Sequence, residues 1–183
     1  MKKFIPAVLI LLSVLSCNSD YVYYDELYDG LKIVSGKNSE YGYANESNEI
    51  IIKCKFDQAQ NFTNGYAFVS KRGKWGVIDK NGEVVIPLKY SEPKYINDSL
   101  IVISENNLWG GFNLDGEQVI PFIYEDIQEF SRDYAVVTFN GLKGCINKSG
   151  DEIIKCNYYS IDGFLQRYAL AQSAETHYSE NGE

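Results

Sequence analysis

The sequence predicts an all-β protein built as an open array of about four 34-residue repeats, each an antiparallel hairpin of short strands followed by a third strand, with partial capping units. Three observations predict it: a glycine with a fixed period, Asn-Gly and Asp-Gly turns between short apolar runs, and no helical apolar period. The glycines are Gly42, Gly76, Gly110 and Gly144, each 34 residues after the last. Because repeats of this size bury their apolar faces against neighbouring copies, the chain is expected to form a modular array.

The repetition extends well beyond the glycine. The segment KWGVIDKNGEVVIPLKY (74–90) returns as LWGGFNLDGEQVIPFIY (108–124) and, less closely, as LKGCINKSGDEIIKCNY (142–158). A fourth copy, EYGYANESNEIIIKCKF (40–56), opens the array. Agreement in phase over so many positions indicates one repeated structural unit.

The residues inside the period decide between strands and a helix pair, which also has a 34-residue period. Asn81-Gly82, Asp115-Gly116 and Ser149-Gly150 lie between apolar runs, and such dipeptides supply the positive φ of a tight hairpin turn. Runs such as 84–86 and 100–103 are β-branched and too short for amphipathic helices. Strands are therefore predicted.

For the second unit, three strands are predicted at 75–79, 83–90 and 100–105, with a loop of about ten residues before the third. Pro87 and Pro121 fall inside the second strand of their units. Since proline cannot donate a backbone hydrogen bond, that strand must be bulged or must leave this position unpaired.

Each end of the array carries a partial unit. The segment 24–35 resembles the last third of a repeat, and its residues 31–34 are expected to add one strand with a one-residue phase slip. At the other end, 177–183 resembles the shortened start of another hairpin. Such caps are expected because an open array leaves an unpaired strand edge at each end.

The repeated pattern is Trp-Gly, a hydrophobic pair, Asp or Asn, a Gly-Glu turn, Val-Ile-Pro and Lys-Tyr. It resembles the bacterial WG β-repeat family over about 40–171. The outer units depart from it, with Tyr41 and Lys143 in place of tryptophan and Lys53 and Lys155 in place of proline. The resemblance implies an all-β array used for interaction, and it carries no catalytic residues.

The aromatic residues of this signature allow two interpretations. In one, each packs on the neighbouring unit and the glycine after it permits close approach. In the other, they form an exposed ladder that stacks sugars or grips a partner. The repeated phase favours packing, so the signature residues are predicted to be structural: Tyr41, Gly42, Trp75, Gly76, Trp109, Gly110 and Gly144.

The first residues read as an export signal. Lys2 and Lys3 precede an apolar run that is too short for a stable membrane span, and a small residue, Ser16, precedes Cys17. The junction resembles the lipobox of bacterial lipoproteins, in which the cysteine is lipidated; an ordinary signal peptide is the alternative. No aspartate follows Cys17 directly, which favours the outer membrane or cell surface as the location.

Four regions are thus predicted: a lipoprotein signal peptide at 1–16, a lipidated tether with a partial repeat at 17–39, four repeats at 40–171, and a polar tail or partial repeat at 172–183. Without Lys2 and Lys3 the chain has 15 basic and 25 acidic residues, a net charge of −10. Nucleic acid needs a basic surface, so it is not expected as a partner.

Three further cysteines remain, at Cys54, Cys145 and Cys156. Cys54 and Cys156 lie three units apart, so distance forbids their pairing in a linear array. Cys145 is expected to face Ile154 across a hairpin, which places Cys156 at a diagonal position. A disulfide between Cys145 and Cys156 would require a bulge and is left open.

Catalytic chemistry lacks the necessary residues. The single histidine, His177, lies in the polar tail, so neither a nucleophilic triad nor a zinc site can be assembled, and no cofactor is expected. Asp79 and Asn113 begin segments that resemble half of a calcium loop, but the remaining ligands are missing and hairpin turns are expected there.

The sequence therefore predicts a non-enzymatic lipoprotein that holds a partner protein, or an envelope polymer, against acidic loops. A carbohydrate-binding lipoprotein of a glycan-uptake system is the alternative, and protection against a toxin is a third possibility. Its membrane partner would be reached through the lipid on Cys17. The candidate loop residues are Glu92, Asp98, Glu125, Asp126, Glu129 and Asp133.

The signal-peptide assignment predicts that Cys17 carries lipid and that residues 1–16 are absent from the mature chain. Metabolic labelling with a fatty-acid analogue is expected to mark the wild-type protein and not Cys17→Ala. Equal labelling of the two proteins would contradict the assignment.

Overall fold

The computed structural model describes residues 21–24, 26–165 and 168–173, with side chains described as far as residue 161. The expectations for residues 1–20, including Cys17, and for the tail from residue 174 lie outside the described residues. The described part of the chain consists of strands, turns and irregular segments and contains no helix. The predicted all-β repeat array is confirmed.

The described residues form seventeen strands in four antiparallel sheets that follow one another along the chain. Sheet 1 contains β1 (Tyr21–Tyr23), β2 (Lys32–Gly36), β3 (Tyr41–Ala44) and β4 (Ile50–Phe56); sheet 2 contains β5 (Gln58–Ala59), β6 (Tyr66–Lys71), β7 (Lys74–Asp79) and β8 (Val84–Tyr90). Sheet 3 contains β9 (Glu92–Ile96), β10 (Leu100–Glu105), β11 (Leu108–Asn113) and β12 (Gln118–Tyr124). Sheet 4 contains β13 (Asp126–Ile127), β14 (Tyr134–Phe139), β15 (Leu142–Asn147), β16 (Glu152–Leu165) and β17 (Tyr168–Ser173).

Each sheet combines parts of two consecutive sequence repeats. The predicted third strand at 100–105 is β10, and it pairs with β11 of the next repeat. The structure adds a strand, β9, inside the segment predicted to be a loop, and β9 pairs with β10. This strand was missed because its counterparts β5 and β13 have only two residues each, too few to show an alternating pattern.

In sheets 2, 3 and 4, one polar side chain stabilises the turn between the third and fourth strands. Oδ1 of Asp79 accepts hydrogen bonds from the backbone N–H groups of Asn81 and Glu83, both at 2.9 Å. Asn113 and Asn147 make the same pair of contacts in their own turns. In each turn only the glycine has positive φ, at 83°, 82° and 83° for Gly82, Gly116 and Gly150. These contacts account for the Asp or Asn of the repeat.

The Trp-Gly strand faces a bulge in the strand that follows it. In sheet 2, Trp75 pairs with Tyr90 and Val77 pairs with Ile86, so residues 87–89 lie opposite Gly76 alone. A Cβ on Gly76 would lie 2.5 Å from the backbone oxygen of Ile86. Equivalent contacts, between 2.3 and 2.9 Å, occur at Gly42, Gly110 and Gly144.

The predicted bulge is therefore confirmed, but proline is not its cause, because the sheets with Lys53 and Lys155 bulge at the same place. The glycine was expected to permit close approach of the neighbouring unit, and this expectation is wrong. The close approach is to the partner strand within the same hairpin, and not to the neighbouring unit.

The sheets stack face to face, and a hydrophobic cluster fills each interface. Strand β6 shows how one strand serves two interfaces: Ala67 and Val69 pack toward sheet 1, whereas Phe68 packs toward sheet 3. In β10, Ile101 and Ile103 pack toward sheet 2 and the intervening Val102 toward sheet 4. Burial on both faces explains why these strands are continuous apolar runs. Among the described residues, no hydrophobic cluster joins sheet 4 to sheet 1, so the array is open.

Hydrogen bonds between sheets fix the stack. The buried Tyr43 hydroxyl of sheet 1 donates to the carbonyl of Gln60 at 2.6 Å. The Tyr95 hydroxyl of sheet 3 donates to the carbonyl of Gln128 at 3.1 Å. Burial raises the pKa of the Tyr43 hydroxyl, so it remains a donor across the ordinary pH range.

The first partial unit forms a strand with the expected phase slip. Residues 32–36 form β2, in which Val34 pairs with Gly42; in sheet 2, Val69 pairs with Gly76. The chain between the two paired residues is thus one residue longer in sheet 1, from Val34 to Gly42, than in sheet 2, from Val69 to Gly76. The added strand β1 completes a four-stranded first sheet.

The bulge predicts that Gly76→Ala costs at least about 3 kcal/mol of unfolding free energy, because its Cβ would overlap backbone atoms that cannot move independently. Gly141→Ala is the matched control: its φ is 74° and nothing lies within 4 Å of an added Cβ. It is expected to cost about 1–2 kcal/mol through backbone conformation alone. Urea unfolding of the full chain, followed by circular dichroism, measures both. An equal or larger loss in Gly141→Ala would contradict the steric explanation.

Candidate interaction surface

The aromatic residue of each Trp-Gly pair faces the next sheet. Trp75 packs against the hydrophobic cluster between sheets 2 and 3, and Trp109 against the cluster between sheets 3 and 4. Tyr41 lies toward the boundary of sheets 1 and 2, where it lines a cavity. All three are half-buried, so each ring has one part in an interface and one part near its edge. The fourth unit has Lys143 at this position, also half-buried.

A lysine occupies the edge of the interface between sheets 3 and 4. The Lys94 ammonium of β9 lies 4.6 Å from the centroid of the Trp109 ring. The same ammonium donates a hydrogen bond to Oδ1 of Asp126 on β13. A cation held between an aromatic face and a carboxylate is a favourable arrangement when it is partly shielded from water, as this lysine is. The contact joins the two sheets at their outer strands.

A cavity of about 670 Å³ lies at the corresponding edge of the interface between sheets 1 and 2. Tyr41 stands in the repeat phase of Trp109, and Gln58 in the phase of Asp126. Three tyrosines contribute to its walls, and the lining residues are Tyr24, Glu26, Tyr28, Ile33, Tyr41, Gln58, Ala59 and Asn61. The cavity therefore combines aromatic rings with a carboxylate and two amides.

Glu26 and Tyr28 are coupled within this cavity. The Tyr28 hydroxyl donates a hydrogen bond to Oε2 of Glu26 at 2.6 Å. That hydrogen bond and the charge of Glu26 raise the pKa of the Tyr28 hydroxyl. Tyr24 and Tyr28 are 48% and 38% exposed, so their rings are accessible to a ligand.

The six candidate loop acids differ in their surroundings. Asp98 accepts a hydrogen bond from the Asn64 amide of the neighbouring unit at 3.1 Å, and Glu125 accepts one from the backbone N–H of Gly141 at 3.1 Å. Asp126 pairs with Lys94, and Asp133 lies 3.5 Å from the Lys148 ammonium. Glu92 and Glu129 are exposed. Several of these carboxylates thus stabilise the array itself.

Four of these acids, with Glu26 and Asp57, lie along one edge of the stack, which we call the acidic edge: residues 26–28, 57–61, 92–95 and 125–129, on or beside the outer strands β5, β9 and β13. Its lysine, Lys94, is already paired with Asp126, and Asp57 lies 3.1 Å from the Lys71 ammonium. Burial, followed by the charges of Glu129 and Asp126, raises the pKa of the Tyr95 hydroxyl. The potential along this edge is therefore negative.

The three described cysteines, Cys54, Cys145 and Cys156, are free thiols. Cys145 pairs with Ile154 as expected, and Cys156 lies diagonally across the hairpin. Burial raises the pKa of the Cys145 thiol to about 11, so at neutral pH it is protonated and weakly nucleophilic.

Within the described residues, no group of three or more His, Cys, Asp or Glu side chains is arranged to hold a metal ion. The same part of the chain has no helix with the length and apolar character needed to cross a membrane.

The sequence indicated some of this surface and missed the rest. It identified the Trp-Gly phase and the acidic segments. It missed Lys94, because the other units have glutamine at that phase, and it missed the cavity. The density of tyrosines between residues 21 and 28 was the available signal for the cavity.

The packing of Trp109 predicts that Trp109→Ala lowers the unfolding free energy by about 2–3 kcal/mol, less than for a fully buried tryptophan because the ring is only half-buried. Tyr159→Ala, an exposed aromatic of sheet 4, is the control and is expected to change it by at most about 0.5 kcal/mol. Urea unfolding by circular dichroism compares them. Equal stability of the two variants would show that Trp109 contributes nothing to the interface.

Comparison with known proteins gives one family and distant structural likenesses. No curated protein matches the sequence. A solved structure of Kluyveromyces lactis Hsv2 with its complete loop 6CD is similar at a TM-score of 0.43 and 13% identity, covering 76% of this chain and 50% of that chain. Another structure of Kluyveromyces lactis Hsv2 has a TM-score of 0.40 and 14% identity, covering 70% of this chain and 44% of that chain. The chain spans about half the length of these structures.

The family model for the WG containing repeat matches four times, at residues 41–75, 75–109, 109–142 and 144–171. The first three matches begin at the aromatic residue before the glycine that faces the bulge, and the fourth begins at that glycine itself, Gly144. Since the matches together span most of the chain, the protein belongs to the WG containing repeat family.

Proposed function

We propose that this protein is a non-enzymatic interaction scaffold of the bacterial cell envelope, anchored in the membrane by lipid on Cys17, that binds a partner protein along its acidic edge. The observation that carries the proposal is the acidic edge itself. The outer strands and the residues beside them present six carboxylates, of which Asp57 pairs with Lys71 and Asp126 pairs with Lys94. A surface of this kind attracts a partner with a complementary basic face.

The rigidity of the edge supports a binding role. Its strands belong to the stacked sheets, and the hydrophobic clusters between those sheets hold the carboxylates at fixed spacing along the stack. A preorganised surface loses little conformational freedom when it binds a partner. Repeat arrays are suited to such extended contacts because each unit adds one more set of side chains.

The envelope location rests on residues 1–17. A charged head, a short apolar run and the Ser16-Cys17 junction are typical of a lipoprotein signal, and several fatty chains would hold the mature protein at the membrane. The outer membrane or cell surface is the proposed location. Nucleic acid is an unsuitable partner for so acidic a chain.

The absence of an enzymatic role is part of the proposal. The chain has one histidine, and it lies in the C-terminal tail, far in sequence from the acidic edge. The edge carboxylates Glu125 and Asp126 are engaged with Gly141 and Lys94, which suits attachment and not acid–base chemistry.

A second candidate is carbohydrate binding, as in a glycan-uptake system. The cavity between sheets 1 and 2 favours it, because Tyr24, Tyr28 and Tyr41 could stack on sugar rings while Gln58 and Asn61 bond to hydroxyl groups. Carbohydrate binding would depend on the tyrosines of the cavity and would not depend on the charge of the outer strands. The two functions therefore respond to different substitutions.

Charge reversal at the acidic edge tests the main proposal. Full-length protein with Glu92→Lys and Glu129→Lys is expected to capture its envelope partner at least about ten-fold less well than wild type, because the steering charge is reversed. Glu46→Lys with Asp115→Lys, two exposed acids of the hairpin turns, is the matched control and should capture normally. Capture is quantified by mass spectrometry after affinity purification from solubilised envelopes.

Equal capture by the two double variants would contradict a docking role for the acidic edge. Binding to a glycan array that is retained by both variants and lost with Tyr24→Leu and Tyr28→Leu would instead support the carbohydrate candidate.

A further inference from the structure

The interface between sheets 3 and 4 shows how this fold holds an ammonium group. The Lys94 ammonium lies against the Trp109 ring and bonds to Asp126, which belongs to the neighbouring sheet. Ring and carboxylate are thus supplied by two sheets, and the cation joins them. The side chain of Lys94 is 26% exposed, so the charge is largely shielded from water. Shielding strengthens both the cation–π and the ionic contact.

The cavity between sheets 1 and 2 offers rings and a carboxylate from a different set of positions. Tyr41 takes the place of Trp109 in the repeat, whereas Gln58 takes the place of Asp126. Among the described residues, its lining includes no lysine or arginine. The carboxylate here is Glu26, and the rings of Tyr24 and Tyr28 add further aromatic surface. The cavity therefore offers an aromatic and anionic environment for a cation from another molecule.

The charge of the cavity, rather than its size, favours a lysine side chain. A volume of about 670 Å³ is within the range of small-molecule sites and admits an alkyl chain with its ammonium group and the attached backbone. The full chain has a formal net charge of −8, which favours the approach of cations. A neutral sugar would use the tyrosines but would leave the Glu26 carboxylate without a counter-charge.

We propose that the cavity lined by Tyr24, Glu26, Tyr28 and Tyr41 is a binding site for the ammonium group of a lysine side chain on a partner protein. This inference rests on the proposed function, since it identifies which side chain of a basic partner enters the array and where. The partner's ammonium packs against the tyrosine rings and pairs with the Glu26 carboxylate, the two kinds of contact that Lys94 makes with Trp109 and Asp126.

The test uses a blocked Gly-Gly-Lys-Gly-Gly peptide and the same peptide with Nε-acetyl-lysine. Binding to full-length protein in detergent micelles is followed by NMR chemical-shift changes. The lysine peptide is expected to perturb the residues of the cavity, and acetylation is expected to weaken binding at least about ten-fold because it removes the charge. Equal binding of the two peptides would overturn the proposal.

Two variants locate the site. Glu26→Gln, and separately Tyr24→Leu with Tyr28→Leu, are each expected to weaken binding of the lysine peptide about ten-fold. All three residues are exposed, so the fold is retained, and a thermal melt verifies this. Glu46→Gln and Tyr159→Leu are the matched controls, each an exposed residue of the same type outside the cavity. Loss of binding in the controls to the same extent would overturn the proposal.

Other ligands provide competing outcomes. Displacement of the lysine peptide by choline at lower concentration than by a second lysine peptide would assign the cavity to quaternary ammonium groups and overturn the lysine assignment. Tighter binding of a neutral oligosaccharide, unchanged by Glu26→Gln, would overturn it in favour of a sugar.

The outcomes for the cavity and for the proposed function are distinguishable. If cavity variants capture the envelope partner as wild type does while reversal of Glu92 and Glu129 abolishes capture, the scaffold function stands and the cavity inference fails. If the lysine peptide binds the cavity but no charge-dependent protein partner is captured, the cavity inference stands and the scaffold function fails.

Discussion

The structure depends on one close contact in each sheet. A backbone oxygen of one strand lies so near a glycine of the next strand that a Cβ at that position would overlap it. In sheet 2 this contact joins Ile86 to Gly76, and the other sheets repeat it. Because residues 87–89 bulge over one glycine, Val77 can pair with Ile86 while Trp75 pairs with Tyr90. All four of these side chains contribute to the same interface with sheet 3. The glycine thus allows a strand with one residue between two paired positions to align with a strand that has three, so that both strands place side chains on the same face.

Stacking follows from that common face. Each inner sheet buries both faces, so its strands carry apolar residues at consecutive positions, and each hydrophobic cluster contains residues of two sheets. A second set of glycines supports the stack, because the turn glycines Gly116 and Gly150 lie against the backbone oxygens of Val85 and Val119 in the preceding sheet. The hairpin turn is consequently part of the interface between units as well as a local reversal of the chain.

The outer strands contribute fewer residues to the hydrophobic clusters than the inner strands do, and differences in sequence between the units are found there. Position 94 is lysine in one unit and glutamine in the units on either side, and position 126 is aspartate where residue 58 is glutamine. At one interface the substitutions create an internal ion pair, and at another they leave a tyrosine-lined cavity. Interaction is proposed to reside along these strands because they lie at the edge of the stack and differ between units.

Sequence reasoning predicted the features that repeat. The glycine period gave the units, the Asn-Gly and Asp-Gly turns gave the hairpins, and Pro87 indicated the bulge. The short strand β5 was missed because two residues carry no pattern, and the pairing of β10 with the following repeat has no signal in a single unit. Lys94 and the cavity could not be predicted because contacts such as Lys94 to Asp126 occur once, between units. The hydrogen bond from the Gly141 N–H to Glu125 could not be predicted either, because a backbone N–H partner leaves no signal in the sequence.

The central functional claim is that an acidic, preorganised edge recruits its partner by charge. The most direct measurement is the association rate of the purified partner with the full-length protein as a function of salt. The rate is expected to fall by at least about ten-fold between about 0.05 and 0.5 M NaCl, because salt screens charges on exposed surfaces. A rate independent of salt would contradict the claim and would indicate recognition through the aromatic surface instead.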